Sequence, residues 1–236
     1  MRYIAGLAIA LQLTPLGFAK AETEATHAAK FAEIEAGIGG RIGVAALDVA
    51  RDKKFEYRAQ DRFTMCSTFK VLAVAAVLKR VDEKREKLDR FVRYGEAELL
   101  SYAPVTRAHV KEGGMTLEAL CAAAIEQSDN TAGNLLLDAI GGPKGWTEFA
   151  RSLGDNTTRL DRNEPEIRAG VPPDWKVGDK TGRSGTGIVN DIAIVRPPRG
   201  GLLFLAIYTS NPGASAEARD ELVATIAKAA IEALNK

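Results

Sequence analysis

The sequence predicts an α+β fold in which an antiparallel sheet is built from both chain ends, is flanked by helices and is interrupted by an all-α insertion. Helical patterns fill the middle of the chain, whereas strand-like segments lie on either side of them, at 41–48, 54–58, 175–179, 191–195 and 201–209. Because strands and helices form separate runs rather than alternating, the pattern favours α+β over a parallel α/β sheet.

The opening strands are predicted to form a hairpin. Segment 41–48 is rich in β-branched and small apolar residues and 54–58 alternates moderately, so a turn across 50–53 would pair them. Segment 67–80 is apolar nearly all round, which predicts a helix that is buried rather than amphipathic.

The remaining helices carry start and stop signals. Thr116 is placed to cap a helix with one apolar stripe, and a further helix at 131–140 is stopped by Gly141-Gly142-Pro143. From Ser215 a last helix carries one apolar face. The stripe of the helix that Thr116 caps consists of Leu117, Leu120, Cys121 and Ala124. The apolar face of the last helix consists of Leu222, Ile226, Ala230 and Leu234.

Length and composition exclude several classes of protein. The 236 residues suit one large domain or two interleaved ones, and 46% hydrophobic with 27% charged residues argues against disorder. The formal charge of +1 gives no electrostatic reason to expect nucleic acid or a membrane surface as a partner.

The N-terminus resembles a secretory signal peptide. Arg2 precedes an apolar run from Ile4 to Leu13, and Ala19-Lys20-Ala21 offers small residues at the two positions that a signal peptidase needs. We expect cleavage after Ala21, a periplasmic mature protein and no membrane contact afterwards, because a run of this length is too short to span a bilayer.

Neither a metal site nor a disulfide framework is expected. Two histidines, His27 and His109, lie far apart in sequence, and Cys66 and Cys121 are too few for a disulfide scaffold. A serine nucleophile here would need a base other than histidine. No cofactor is expected.

Three short motifs carry chemistry. In Ser67-Thr68-Phe69-Lys70 the hydroxyl and the amine share a helix face, and the N–H groups at the helix start are suited to an oxyanion. Taken alone, this motif is also explained by a capping serine and a surface lysine. Ser128-Asp129-Asn130 alone suits a polar loop, and Lys180-Thr181-Gly182 alone suits a hairpin tip before a glycine-rich turn.

Together and in this order, the three motifs are those of class A β-lactamases and penicillin-binding proteins. With the flanking segments RFTMCSTFK, TRLDRNEPE and WKVGDKTG, the chain resembles a class A serine β-lactamase over most of its length. The resemblance implies the fold stated above, a β-lactam as the small-molecule substrate, and a monomer.

The resemblance also implies roles for individual residues. Ser67 would be acylated, Lys70 would transfer its proton, Ser128 would protonate the leaving nitrogen, and Glu164 would hold the deacylating water. For acylation, the base stays open between Lys70 and Glu164 acting through water. The implied substrate-binding residues are Tyr102, Asn130, Lys180, Thr181, Gly182, Arg183 and Arg219, and the oxyanion hole would use the backbone N–H groups of Ser67 and Arg183.

The chain departs from the family after Glu166, where roughly fifty residues of the family pattern are absent. The missing segment includes part of the deacylating-water site and several helices, so its loss is expected to weaken deacylation and to expose apolar surface. The cysteine partners that some relatives have are also absent, so we expect no disulfide. Arg183 is larger than the residue usual there and is expected to narrow the cleft or to bind a carboxylate, and Arg219 is either a carboxylate ligand or an exposed helix arginine.

Three functions follow as hypotheses. The first is β-lactam hydrolysis through a Ser67 acyl-enzyme, which gives antibiotic resistance; the others are an acyl-trap that binds β-lactams without releasing them, and a D-Ala-D-Ala carboxypeptidase, against which Glu164 argues. The expected organisation is a signal peptide at 1–21, an α/β domain from 22–58 and 170–236, and a shortened all-α domain at 59–169.

Overall fold

The computed structural model describes residues 15–160, 176–197, 201–211 and 213–235, with backbone alone for 15–24, 176, 177 and 235. The helices are α1 (Pro15–Ile38), α2 (Phe69–Asp82), α3 (Pro104–His109), α4 (Leu117–Glu126), α5 (Asn130–Ile140), α6 (Gly142–Ser152) and α7 (Ala216–Asn235). The strands are β1 (Arg41–Asp48), β2 (Lys53–Tyr57), β3 (Phe91–Arg93), β4 (Gly114–Thr116), β5 (Lys176–Arg183), β6 (Ile188–Arg196) and β7 (Leu203–Ser210).

The main sheet has five antiparallel strands in the order β2-β1-β7-β6-β5. The first two strands of the chain therefore pair with the last three, which confirms the prediction of a sheet assembled from both ends. Strands β3 and β4 form a separate two-stranded ribbon. Because β5 is the last strand in the order, one of its edges is left without a strand partner in the described sheet.

Buried side chains form two clusters. One lies between the sheet and helices α1 and α7, and includes Phe31, Ile207 and Ile226. The other lies among α2, α4, α5 and α6 and includes Phe69, Leu136 and Trp146, whose indole N–H donates to the Phe69 carbonyl at 2.9 Å. These two clusters support the predicted division into an α/β part and an all-α part, whose boundaries stay a prediction.

The helix ends follow the signals in the sequence. The Thr116 side chain accepts a hydrogen bond from the backbone N–H of Ala119 at 3.2 Å, so it caps α4 as predicted. Gly141 ends α5 in the left-handed region, with φ of 97°, where a glycine has no Cβ to clash. Gly142 and Pro143 then start α6, because proline is tolerated in the first turn of a helix.

The α2 side of the sheet is only partly covered. A cavity of about 1,100 Å³ lies between the sheet and the start of α2, and part of its wall is apolar. The apolar and aromatic residues in this wall include Ala45, Phe63, Phe69, Leu72, Ile192, Ala206 and Tyr208. Among the helices that the structure describes, none is both long and apolar enough to cross a membrane.

A buried carboxyl in the sheet predicts a pH dependence of stability. Asp191 in β6 is 2% exposed, and its Oδ1 has no hydrogen-bond partner among the described residues. Burial, together with the nearby charge of Asp179, raises the pKa of Asp191 to about 8 from its ordinary value of 3.8. Between these two values the folded protein holds a proton that the unfolded chain has lost, so the contribution of Asp191 to stability is greatest below pH 4, declines as the pH rises to about 8 and is constant above that.

We therefore expect Asp191 to lower the free energy of unfolding by on the order of 1 kcal/mol per pH unit between pH 5 and 8, with a matching fall in the Tm. In Asp191→Asn this fall should be flatter, and Asp138→Asn, which changes an exposed carboxyl, should follow the unaltered chain. Parallel curves for all three proteins, measured by thermal unfolding, would contradict the assignment.

Candidate active site

Ser67 lies just before helix α2, where the backbone turns sharply. It lies in a short 3-10 turn, Cys66–Thr68, and is 0% exposed. The preceding Cys66 has φ of 48°, a left-handed conformation that is uncommon for a side chain other than glycine. The sequence predicted a regular helix from Ser67; the structure corrects this, since the α-helix begins only at Phe69.

The Lys70 amine lies at the centre of the hydrogen-bond network of the site. Its Nζ lies 3.0 Å from Ser67 Oγ and 2.7 Å from both the Ser128 carbonyl oxygen and Asn130 Oδ1. Ser128 Oγ is at 3.3 Å. The side chain is 0% exposed, so the alternative of a surface lysine is wrong.

Ser128 and Asn130 reach Lys70 because the chain turns abruptly between α4 and α5. Ser128 has φ of 53°, which places both its carbonyl and its hydroxyl oxygen beside Lys70 Nζ. Backbone strain of this kind is often found at functional sites. The backbone N–H of Asn130 donates to the Tyr102 carbonyl at 3.0 Å, so the backbone of Tyr102, whose side chain is half-exposed, lies next to the motif.

Asp129 anchors the turn, a role that the sequence analysis missed. Its carboxylate caps α5 through the Ala132 N–H at 2.9 Å and accepts the N–H groups of Val105 and Thr106 at 3.0 and 2.9 Å. The Thr106 hydroxyl also donates to it, at 2.9 and 3.0 Å. Asp129 is therefore both the N-cap of α5 and a link between α5 and α3.

Lys180, Thr181 and Gly182 lie inside β5 rather than at a hairpin tip, which corrects the predicted strand end at 179. A Cβ on Gly182 would be 2.7 Å from the Met65 carbonyl oxygen and 3.0 Å from Ser67 N, so β5 passes directly beside the segment that leads to Ser67. Only glycine permits this approach. Lys180 and Thr181 are both buried, and Lys180 Nζ donates to the Thr181 carbonyl at 2.9 Å.

The free edge of β5 presents backbone N–H groups. Ser184 N donates to the Ile188 carbonyl, so the 184–188 pair is hydrogen-bonded across the strands. Hydrogen-bonded and non-hydrogen-bonded pairs alternate along an antiparallel ladder. The next pair, Arg183 with Val189, is therefore of the second kind, and the Arg183 N–H points away from β6 toward the free edge.

Of the two arginines expected to bind substrate, Arg219 lies in the first turn of α7 and Arg183 contacts that helix from β5. The Arg183 side chain forms an ion pair with Asp220 in the early part of α7. Arg219 is half-buried, and its Nε donates to the Asn211 carbonyl at 3.0 Å, so it is not an exposed helix arginine.

Three further predictions concern Glu164, metal binding and the two cysteines. Glu164 lies outside the described residues, as do Arg162 and Glu166. In the described part of the chain, no three side chains of His, Cys, Asp or Glu come close enough to hold a metal ion. Neither cysteine forms a disulfide, as predicted, and burial raises the pKa of Cys121 to about 11.

Comparison with known proteins decides the family. The family model described as "Beta-lactamase enzyme family" matches residues 26–166 and 161–234, which together cover most of the chain. This chain belongs to that family. The two matched segments meet at 161–166, where the sequence departs from the family pattern.

The similar proteins are class A β-lactamases. The chain is 38% identical to β-lactamase Toho-2 of Escherichia coli (87% of this chain, 88% of Toho-2) and 35% identical to a carbapenem-hydrolyzing β-lactamase KPC of Klebsiella oxytoca (92% of each). Among solved structures, an ancestral class A β-lactamase gives a TM-score of 0.82 at 40% identity (88% and 99% covered). The putative class A β-lactamase PenP from Rhodopseudomonas palustris gives the same four values.

The chain is shorter than these β-lactamases. The alignment with Toho-2 runs over 255 positions but takes in 87% of 236 residues, so about 50 aligned positions have no residue here. The prediction of a missing internal segment is confirmed. The fold class is confirmed as well, and the chain is a class A serine β-lactamase homologue, a hydrolase.

Proposed function

We propose that this β-lactamase hydrolyses the amide of penicillins and cephalosporins through an acyl-enzyme on Ser67, which gives antibiotic resistance. The observation that supports the proposal best is the 3.0 Å contact between Ser67 Oγ and Lys70 Nζ, with Ser128 Oγ on the same nitrogen. The Lys70 amine thus contacts both Ser67 Oγ, which attacks the β-lactam carbonyl, and Ser128 Oγ, which protonates the leaving nitrogen.

The hydrogen-bonding capacity of Lys70 suits proton transfer. The Ser128 carbonyl and Asn130 Oδ1 are acceptors only, and both lie at 2.7 Å. A neutral lysine amine satisfies them with its two N–H groups and keeps a lone pair for the Ser67 proton. After transfer, the third N–H of the ammonium points to Ser67 Oγ or Ser128 Oγ.

The acylation step follows from these contacts. Ser67 Oγ attacks the β-lactam carbonyl carbon as its proton passes to neutral Lys70 or, where Lys70 starts as the ammonium, through water to Glu164. On both routes Lys70 is then an ammonium with a proton to give. The carbonyl oxygen becomes an oxyanion that accepts from the N–H groups of Ser67 and Arg183. The carbon–nitrogen bond then breaks, and Ser128 gives its proton to the ring nitrogen and regains one from Lys70.

The other residues of the motifs hold the substrate. We assign the substrate carboxylate to Lys180 and Thr181, with Arg183 and Arg219 at the α7 side, and the side-chain amide of the substrate to Asn130. Gly182 lets β5 lie close to Ser67, and Tyr102 lines the entrance. The position of Arg183 in the ion pair with Asp220 supports a narrowed cleft beside α7.

Deacylation is assigned to Glu164, which would hold and deprotonate the water that attacks the ester. The absence of about 50 family positions directly after this segment favours a second candidate, an acyl-trap in which the ester persists. A D-Ala-D-Ala carboxypeptidase is the third hypothesis, and release of D-Ala from a peptide would support it.

An intact-mass time course with excess penicillin, run beside an assay of the free drug, separates these functions. A transient adduct on Ser67 with steady loss of drug supports the β-lactamase, whereas a persistent stoichiometric adduct supports the trap. Loss of drug without a detectable adduct also supports the β-lactamase, with rapid deacylation, whereas neither an adduct nor loss of drug would contradict both.

Glu164→Gln is expected to slow loss of the adduct by about 10²–10⁴-fold while acylation continues. Glu166→Gln, two residues away, is the matched control and should turn over like the unaltered chain. If Glu164→Gln and Glu166→Gln release the adduct at the same rate, Glu164 is not the deacylating base.

We also propose that residues 1–21 are a signal peptide, that the mature chain works in the periplasm, and that it is a monomer. The charged start and the small residues before Glu22 support the first two points. The N-terminal mass of the protein from a periplasmic fraction tests them, and the sedimentation coefficient tests the third.

A further inference from the structure

Asn190 is a buried amide near the start of β6, and its side-chain hydrogen bonds lead to backbone groups. Its Nδ2 donates to the carbonyl oxygens of Thr64 at 2.7 Å and Met65 at 3.0 Å. Its Oδ1 accepts from the backbone N–H of Thr209 at 3.2 Å, and the residue is 0% exposed. Two acceptors and one donor around the amide define its orientation.

The carbonyls that Asn190 holds belong to the segment directly before the nucleophile. The Met65 carbonyl also accepts from the Thr68 hydroxyl at 2.7 Å and the Thr68 N–H at 3.3 Å. Since that hydroxyl donates to Met65, the contact of 3.2 Å with Tyr208 is one in which the tyrosine donates. We call Asn190, Thr68 and Tyr208 the clamp.

The clamp acts where the backbone is strained. Cys66, between the clamped Met65 and Ser67, has φ of 48°. A left-handed residue of this kind persists only when its surroundings hold it there. Hydrogen bonds from β6 to the carbonyls of the two preceding residues supply this restraint.

The clamp also relates Ser67 to β5. Asn190 pairs in register with Gly182, and the Gly182 backbone lies against Met65 and Ser67 N. One side chain thus ties the Ser67 segment to the strand that carries Arg183. The two backbone N–H groups assigned to the oxyanion hole, those of Ser67 and Arg183, belong to the Ser67 segment and to β5.

We propose that Asn190 is a positioning residue for the β-lactam reaction: its amide sets the place of the Ser67 N–H relative to the Arg183 N–H, and thereby the stabilisation of the acylation transition state. This role rests on the acyl-enzyme function proposed above. Because the oxyanion forms only in the transition state, loss of the clamp lowers the rate of acylation more than it weakens binding of the drug.

Asn190→Asp tests the role with almost no change of shape. An ionised carboxylate has no donor for the two carbonyls and repels them, and a carboxyl that keeps its proton has one O–H where the amide has two N–H groups. In either form at least one carbonyl loses its donor, so the Ser67 segment moves. Asn190→Ser, which keeps one donor, is the milder variant. Val195→Ala is the matched control, because it removes buried volume from the same strand on the α7 face, at the end of β6 away from Arg183 and the clamp.

Two readouts are taken below the Tm of each variant, both in a Cys121→Ala background that leaves Cys66 as the only cysteine. The first is the acylation rate constant with a fluorescent penicillin, corrected for the folded fraction. The second is the rate at which a maleimide labels Cys66 in the native state, which needs no β-lactam chemistry. In Asn190→Asp we expect acylation to be slower by about 30-fold or more and labelling to be faster, because displacements of about 1 Å cost about 10²-fold in rate.

Asn190→Ser should lie between Asn190→Asp and the parent. Val195→Ala should stay within about 3-fold of the parent in both readouts, as expected for a residue at the far end of β6 from Arg183. Unchanged labelling in Asn190→Asp would overturn the clamp, and faster labelling with unchanged acylation would overturn its role in the reaction. If the parent protein itself does not react with penicillin, the proposed function fails, and the labelling arm still decides whether Asn190 holds the segment.

Discussion

Lys70→Ala is expected to lower the rate constant of acylation by about 10²–10⁴-fold or more. The change removes the amine that contacts Ser67 Oγ and Ser128 Oγ. It also leaves the Ser128 carbonyl and Asn130 Oδ1 without the donor that each has at 2.7 Å, so the geometry of the motif relaxes.

The matched control is Lys79→Ala, which removes an exposed lysine from the same helix. Its ion pair with Glu83 at the surface is worth little, so both the rate and the Tm should stay close to those of the unaltered chain. Stopped-flow measurement with a chromogenic cephalosporin compares the two. Equal rates for Lys70→Ala and Lys79→Ala would refute the proposed role of Lys70.

Asp129→Ala is expected to lower the free energy of unfolding by about 3–5 kcal/mol, because it leaves three backbone N–H groups and the Thr106 hydroxyl without their acceptor inside the protein. A loss of this size is a large part of the stability of a typical domain. Asp129→Asn keeps the shape but turns an NH₂ toward N–H donors, so it should also be destabilised.

The matched control is Asp138→Ala, an exposed position on the same helix, which should change stability by about 0.5 kcal/mol or less. Urea unfolding gives the comparison. The tie between α3 and α5 would be disproved by equal midpoints for Asp129→Ala and Asp138→Ala.

The local elements were predictable because their signals are local. The hairpin of β1 and β2, the Thr116 cap of α4 and the Gly141 end of α5 all follow from neighbouring residues. The prediction for β5 ended too early, since Lys180-Thr181-Gly182 looks like a turn when read alone. Pairing with β6 and the close pass beside Ser67 extend the strand to Arg183.

The residues that the sequence analysis missed are polar groups whose partners lie far along the chain. Asn190 accepts from Thr209 and donates to Thr64 and Met65, more than 120 residues earlier. A polar side chain within the apolar run IVNDIAIV was the available signal, because a buried amide needs partners. The signal marks the residue but does not identify those partners.

The sequence by itself determined the chemistry, because Ser67 and Lys70 are three residues apart where a 3-10 turn leads into α2, and this local spacing is enough to bring them into contact. The tertiary structure alone decided which groups complete the site. Ser128 and Asn130 reach Lys70 across 58 and 60 residues only because α5 packs against α2 and Asp129 holds the turn between them. Burial then enforces the arrangement, since every polar group enclosed there must find its hydrogen-bond partner inside the protein.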